Sequence, residues 1–273
     1  MMGEFRAAAV IALKPTEHAK SRLELPDPLR RRLAWTMALD TLSALSQGLA
    51  HVLVVSDQPA LEARLRRAGL AVEVIGESGH VGMNAALGHG ARVLRAEGFP
   101  TVVASVGDLP ALRSDSVLRV LDASRPHPRS FVADASGIGT TMLVAHEVEL
   151  APHFQGRSAA AHHTSGAVSL ATEAIADARR DVDTEADLAV AVGLGLGPAT
   201  GALVDHQTGR LGRYELITAT DYRNNDGDQL AVTASGRRIV LPIEALGAEL
   251  RHARTGQRLH SVEADGRVLS AWL

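Results

Sequence analysis

The chain has 273 residues and no cysteine, which excludes thiolate nucleophiles, CxxC redox pairs, zinc fingers and iron–sulfur clusters. Lys plus Arg number 28 against 31 for Asp plus Glu, a formal charge of −3, and aromatics are only 3%, so neither a basic duplex-binding stripe nor a stacking platform for single strands is expected. At 46% hydrophobic and 22% charged the chain is too apolar for general disorder. No run reaches the roughly 20 apolar residues of a membrane span, and no signal-peptide cleavage pattern follows Ala7–Leu13. A cytoplasmic protein with no membrane or nucleic-acid partner is therefore expected.

In chain order, short β-branched runs alternate with helical patterns over the first two hundred residues. Strands are predicted at Ala8–Leu13, Val52–Ser56, Val72–Ile75, Thr101–Ser105 and Ser130–Ala133. Helices are predicted at Leu29–Leu49, Gln58–Ala68, Asn84–Glu97 and Ser114–Ser124. Strands without alternation imply a sheet buried on both faces, and the repeat implies a mostly parallel α/β/α arrangement. Thr184 and Asp187 read as a capping box opening a further helix. The glycine-rich Gly193–Gly201 reads as a linker. Beyond it the helical patterns mostly stop, and strands at Tyr214–Ala219, Gln229–Thr233, Arg237–Pro242, Arg258–Val262 and Val268–Trp272 imply a small all-β domain at 205–273, a barrel or rolled sheet of unknown role. Residues 1–200 form the larger domain in this reading. Asp221–Asp228 is expected as an exposed polar loop whose spacing does not fit an EF-hand.

In an open α/β sheet, ligands sit beyond the carboxyl ends of the strands. Lys14, Lys20 and Arg22 follow the first strand and could neutralise a triphosphate. Neither GxxxxGK[ST] nor a first-turn GxGxxG is present. Asp108, in VVASVGDLPAL, ends a buried strand and is placed for Mg²⁺ or, as the plainer alternative, for an Asx-turn or cap. Asp181 and Asp183 share a face if their segment is extended, and one of them could complete a metal site with Asp108. Asp134–Thr141 supplies glycines and hydroxyls suited to an anion pocket or to a tight hairpin. His153, Arg157, Ser158, His162 and His163 form a polar cluster that does not match a zinc motif.

Five ordered stretches, VIALKPTEHAKSRL, GMNAALGHG, GDLPAL, DASGIGTT with FQGRSAAAHHTSGA, and DVDTEADL, together resemble the 2-phospho-L-lactate/phosphoenolpyruvate guanylyltransferase family of deazaflavin coenzyme (F-420) biosynthesis. The resemblance covers about residues 8–200. It implies a Rossmann-like nucleotidyltransferase fold of GT-A type, GTP as co-substrate, Mg²⁺, and a small phosphorylated three-carbon acid as acceptor. By the same resemblance Lys14, Lys20 and Arg22 bind triphosphate, Gly82 and Asn84 approach the guanosine, Asp108 and Asp183 hold the metal, and Thr140 and Ser158 hold the acid. Family members often have glycine directly after Phe154; here it is Gln155, with Gly156 next, so the backbone contact to the acceptor is in question. A 3-phosphoglycerate guanylyltransferase, a sugar-phosphate or molybdopterin-type nucleotidyltransferase, and a nucleotide-binding regulatory protein stay open as alternatives. So does a homodimer or a pathway-enzyme partner.

Overall fold

The computed structural model describes residues 6–14, 20, 22–171, 174–247, 250 and 252–273. Most of the VIALKPTEHAKSRL stretch after Lys14, namely 15–19 and 21, lies outside them. By Cα proximity the chain divides into two units, Met1–Thr16 with Met37–Gly197, and Glu17–Thr36 with Pro198–Leu273.

The first unit is built on a seven-stranded sheet of β1 (Ala7–Ala12), β2 (His51–Val55), β3 (Glu73–Ile75), β4 (Thr101–Ser105), β5 (Arg129–Ala133), β6 (Thr140–His146) and β7 (Val168–Ser169), in the order β3-β2-β1-β4-β6-β5-β7. Every pairing is parallel except those of β6, which runs antiparallel to both β4 and β5. Connecting helices are α1 (Asp27–Gly48), α2 (Leu61–Arg67), α3 (Met83–Ala96), α4 (Ser114–Ser124), α5 (Ser158–Thr164) and α6 (Glu185–Leu194). This is the expected Rossmann-like α/β/α layering. The central strands are buried throughout, as in Thr101–Ser105, so their sequences show no polar alternation.

The α3 helix lies close against β1 and β2. A Cβ at Gly90 would stand 2.5 Å from Val10 Cγ2 and 2.8 Å from Val55 Cγ2, so only glycine lets the two layers meet there. One apolar cluster joins Leu87, Ala91 and Leu94 of α3 to Val10, Leu53, Val102 and Leu143 of the sheet. The strand β6 was not among the expected ones. Its first two residues, Thr140 and Thr141, read as pocket lining, while its following run from Met142 to Ala145 is completely buried.

In the second unit a short ribbon of β8 (Val204–Asp205) and β9 (Arg210–Leu211) precedes a closed five-stranded barrel. Its strands are β10 (Arg213–Arg223), β11 (Gln229–Thr233), β12 (Arg238–Leu241), β13 (Arg258–Ala264) and β14 (Arg267–Trp272), ordered β10-β11-β12-β14-β13. The pairing of β12 with β14 is parallel and the others are antiparallel, a Greek-key closure of the OB type. Alternate residues Ile217, Ala219, Ala231, Ile239 and Leu259 fill the interior. Within this unit the first part of α1 packs on the barrel wall, where the Arg32 guanidinium lies 5.4 Å from the Trp272 ring centroid.

Two local expectations change. Gly193–Gly201 is not a plain linker, because α6 continues to Leu194 and Pro198–Gly201 forms a helical turn. Asp221–Arg223 belong to β10, and the turn is confined to the next five residues, where Asn224 Oδ1 accepts the N–H groups of Asp226 and Asp228.

Candidate active site

The sheet delivers two strand ends side by side. Beyond β1, the backbone of Leu13 is clamped from one side: its N–H donates to the Val55 carbonyl at 3.1 Å, and its carbonyl accepts from Ser56 Oγ at 2.6 Å and Gln58 Nε2 at 3.2 Å. Lys14 leaves this fixed point with an exposed side chain. Beyond β4, Gly107 passes so near Leu13 that a Cβ would sit 2.9 Å from Leu13 Cδ2. Glycine therefore brings Asp108 next to the segment that carries Lys14. The Leu109 N–H is held by Thr41 Oγ1 at 3.0 Å, which fixes the exit from the acid.

The third segment of the site comes from far along the sequence and is not itself a strand. Val182 N–H donates to the Asp108 carbonyl at 3.1 Å, with the Val182 side chain fully buried and Asp181 and Asp183 half-buried on either side. Burial, followed by the charges of Asp108, Asp183 and Asp134, pushes the Asp181 carboxyl up to about 6. Four aspartates thus share one electrostatic neighbourhood, and Oδ1 of Asp108 is sealed from solvent. Among the described residues, three ligand-type groups converge within 4.8 Å only at His51, Glu73 and Glu97, at the amino ends of β2 and β3. The aspartates are a looser array at the carboxyl ends. Such an array fits Mg²⁺, which uses one or two carboxylates and completes its octahedron with phosphate oxygens and water.

The sign of the Asp181 shift gives a stability prediction. Its folded-state carboxyl titrates near 6, against 3.8 for the ordinary group, so the extra stability present below about pH 4 is lost as the pH rises through 6. Asp181→Asn is expected to raise the metal-free melting temperature at pH 7.5 by about 2–6 °C and to flatten its decline between pH 4 and 7. Scanning calorimetry across that range checks it, and an unchanged slope in the variant would remove the repulsive role.

The turn between β5 and β6 adds a further group of polar residues at this end of the sheet. Asp134, at the end of β5, organises the turn into β6: its Oδ1 accepts from Ser136 Oγ at 2.8 Å and Ile138 N–H at 3.0 Å, and its Oδ2 from Gly139 N–H at 2.9 Å. The Asp134 carbonyl accepts from Arg179 Nη2 at 2.8 Å, and Thr141 Oγ1 donates to the Ala178 carbonyl at 2.7 Å. These bonds tie the turn to the 3-10 segment Ala176–Arg179 that leads to Asp181. The turn presents Thr140, and Ala159 N–H donates to the Ile138 carbonyl at 3.1 Å, which docks the start of α5 and buried Ser158 beside it. The structure therefore brings Thr140, Ser158 and the loop before α5 together.

Gln155 has φ 94, in the region that favours glycine. The loop keeps the glycine-type backbone even though the residue is Gln, at a cost of about 1–3 kcal/mol. The loop is held from α3: the Phe154 N–H donates to Asn84 Oδ1 at 2.7 Å, and Asn84 Nδ2 donates to the Phe154 carbonyl at 2.9 Å. Asn84 thus spends its amide on the backbone of Phe154, in the loop before α5. Gly82, at φ 98, is the N-cap of α3 just before it. Lys20 and Arg22 belong to the second unit, where Lys20 has φ 58 and its carbonyl accepts from Leu23 N–H at 3.0 Å.

Residues 28–178 match the family described as the MobA-like NTP transferase domain. The phosphoenolpyruvate guanylyltransferase of Streptomyces coelicolor is 44% identical over 200 residues, which are 71% of this chain and 93% of that protein. The enzyme of the same name from Thermomonospora curvata is 40% identical over 205 residues, covering 73% and 89%. This chain belongs to the phosphoenolpyruvate guanylyltransferase family. In fold it is similar to a crystal structure of a protein from Desulfovibrio desulfuricans G20 assigned to nucleotide-diphospho-sugar transferases, with TM-score 0.52 and 15% identity over 67% of this chain and 85% of that one. The matched family domain stops at residue 178, ahead of the barrel strands that begin at Arg213. Among the described residues no helix is long and apolar enough to cross a membrane.

Sequence reasoning missed the work of Asp134 and of Asp177. Asp177 is 1% exposed and accepts from Arg113 N–H at 2.9 Å and Ser116 Oγ at 2.7 Å, so it holds the start of α4 against the 3-10 segment. For Asp134 a signal was present: an acid followed within five residues by Ser136, Gly137 and Gly139 has the composition of an Asx-turn. For Asp177 there was none, because its partners lie more than sixty positions away.

Proposed function

We propose that this chain transfers GMP from GTP to phosphoenolpyruvate with release of pyrophosphate, as a step of deazaflavin coenzyme F-420 biosynthesis. The observation that carries the reading is the 44% identity over 93% of a phosphoenolpyruvate guanylyltransferase, and it is supported by the acids that follow β4 and the hydroxyl of Thr140 that opens β6 at the same end of the sheet. An oxygen of the acceptor phosphate attacks the α-phosphorus of GTP, the bond from the α-phosphorus to the bridging oxygen breaks, and pyrophosphate departs with the electron pair. The nucleophile is already an anion, so no general base is required. Alignment and charge neutralisation are the protein's tasks.

In this reading Asp108 and Asp183 would hold Mg²⁺, which when bound neutralises phosphate charge and orients the phosphates. Lys14, Lys20 and Arg22 stabilise the triphosphate and the departing pyrophosphate, as their spacing after β1 supports. Gly82 opens the helix that approaches the guanosine. Asn84 acts through the loop at Phe154. Thr140, Ser158 and the backbone at Gln155 receive the carboxylate end of the acid.

One assay matrix tests this. Each nucleoside triphosphate is supplied with phosphoenolpyruvate, 2-phospho-L-lactate or 3-phosphoglycerate, and pyrophosphate is measured with the next pathway enzyme coupled to draw off labile product. GTP with phosphoenolpyruvate is expected to give the highest kcat/KM. Preference for 2-phospho-L-lactate or 3-phosphoglycerate would replace the acceptor, and GTP binding without pyrophosphate release would replace the enzyme by a nucleotide-binding protein.

A further inference from the structure

The polar residue buried deepest behind the acceptor wall is His162, on α5, with no exposed surface. Its ring is enclosed by aromatic side chains: the Phe154 ring meets it edge-on at 5.2 Å between centroids, and the Phe131 and His153 rings lie at 5.8 Å. Its two nitrogens are both engaged. Nε2 receives the backbone N–H of His153 at 2.8 Å, and Nδ1 stands 2.9 Å from Thr140 Oγ1.

The first of these bonds settles the second. A backbone N–H can only donate, so Nε2 is the bare nitrogen and the ring is not an imidazolium. A neutral ring with bare Nε2 carries its proton on Nδ1. Nδ1–H therefore donates to Thr140 Oγ1, and the Thr140 hydroxyl cannot spend its own proton on the histidine. Among the described residues that hydroxyl has no hydrogen bond besides the one with His162, so its proton is left for a bound ligand. Had the tautomer been the other one, Thr140 would donate to the ring and present only lone pairs to an incoming anion.

We propose that His162 is a positioning residue for the acceptor: its Nδ1–H, fixed by the His153 backbone, turns Thr140 into an obligatory hydrogen-bond donor and so selects a substrate carrying a carboxylate at that place. The proposal rests on the reading that Thr140 holds the acceptor acid. Burial, followed by the electrostatic effects of His153 and Arg129, lowers the His162 imidazole to about 4, with the Ser158 backbone opposing, so the ring stays neutral through the physiological range.

The relay is testable in native protein and in variants. In uniformly ¹⁵N-labelled full-length chain, the His162 ring is expected as the Nδ1–H tautomer, with no titration between pH 6 and 8. Proton attachment at Nε2 would overturn the proposal without any substitution being made. His162→Asn puts an amide donor near the Nδ1 position, whereas His162→Phe keeps ring volume and removes both bonds. Loss of a hydrogen bond to a charged ligand group corresponds to about a tenfold or greater weakening. His162→Phe should thus raise the phosphoenolpyruvate KM about tenfold or more while leaving the GTP KM within about twofold, and His162→Asn should recover most of that loss. In a Thr140→Val background His162→Phe should add little further increase. Equal changes in both KM values, or full additivity with Thr140→Val, would reduce His162 to a packing residue. If Thr140→Val alone leaves the acceptor KM unchanged, it is the placement of the acid against Thr140 that fails. The tautomer measurement stands apart from that outcome, so the two failures are distinguishable.

Discussion

Asp108→Asn and Asp183→Asn are each expected to lower pyrophosphate release by about 10²–10⁴-fold, because a metal held on two carboxylates supplies several kcal/mol of charge stabilisation to the reaction. The amide keeps the shape of the side chain and removes the charge. At Asp108 the backbone carbonyl that receives Val182 N–H at 3.1 Å is separate from the carboxylate, so the two segments should stay together. Circular dichroism and melting should therefore remain near wild type while turnover collapses, and extra Mg²⁺ should restore little of it. Asp181→Asn is the internal comparison. It relieves the same crowd of charges, and turnover is expected to stay within about tenfold of wild type. Near-normal turnover of the Asp108 and Asp183 variants at limiting Mg²⁺ would overturn the assignment of the metal to that pair.

The largest stability effect is expected at Asp177. Its carboxylate is almost completely enclosed and takes Arg113 N–H at 2.9 Å and Ser116 Oγ at 2.7 Å, with Arg113 Nη2 at 3.8 Å. Asp177→Ala leaves the buried Ser116 hydroxyl and the half-buried Arg113 N–H without their acceptor, a loss of about 3–5 kcal/mol in total when a charged partner is removed from a buried site. At the slope usual for chains of this size the melting temperature should fall by roughly 6–20 °C. The effect should also reach the chemistry, because Asp177 anchors the 3-10 segment Ala176–Arg179 just ahead of Asp181 and Asp183. Turnover per folded molecule, measured well below the variant's melting point, should decline with an increased Mg²⁺ requirement. Asp177→Asn retains one acceptor oxygen and should lie between the two. A melting temperature within about 2 °C of wild type for Asp177→Ala would show that the carboxylate is not a structural anchor.

Local patterns reached most of the α/β unit. The predicted strand Thr101–Ser105 and helix Ser114–Ser124 coincide with β4 and α4, and the other predicted elements of the sheet lie within a few residues of those found. This follows from physics that acts over a few residues: buried parallel strands need continuous β-branched runs, and helices need caps such as Thr184 with Asp187, whose reciprocal capping bonds are present. The barrel strands were legible for the same reason, since tight turns at Ser235–Gly236 and Asp265–Gly266 separate them, with φ 84 at Gly236 and φ 78 at Gly266. The strand β6 escaped because Thr140 and Thr141 could equally line a pocket, and only its pairing with both β4 and β5 places it in the sheet.

By itself the sequence determined the chemistry available to this protein. It placed acids, cations and hydroxyls at strand ends, where an open sheet binds ligands, and its ordered motifs carried the family resemblance. Only the tertiary structure decided which of those groups act on one another. Asp181 and Asp108 are 73 positions apart (181 − 108), yet burial and the neighbouring carboxylates lift the Asp181 carboxyl to about 6. Asn84 reaches seventy positions along the chain to hold Phe154, and the tautomer of His162 is set by the backbone of His153. Charge repulsion and hydrogen-bond polarity depend on distance and direction in space, which a linear order of residues does not contain.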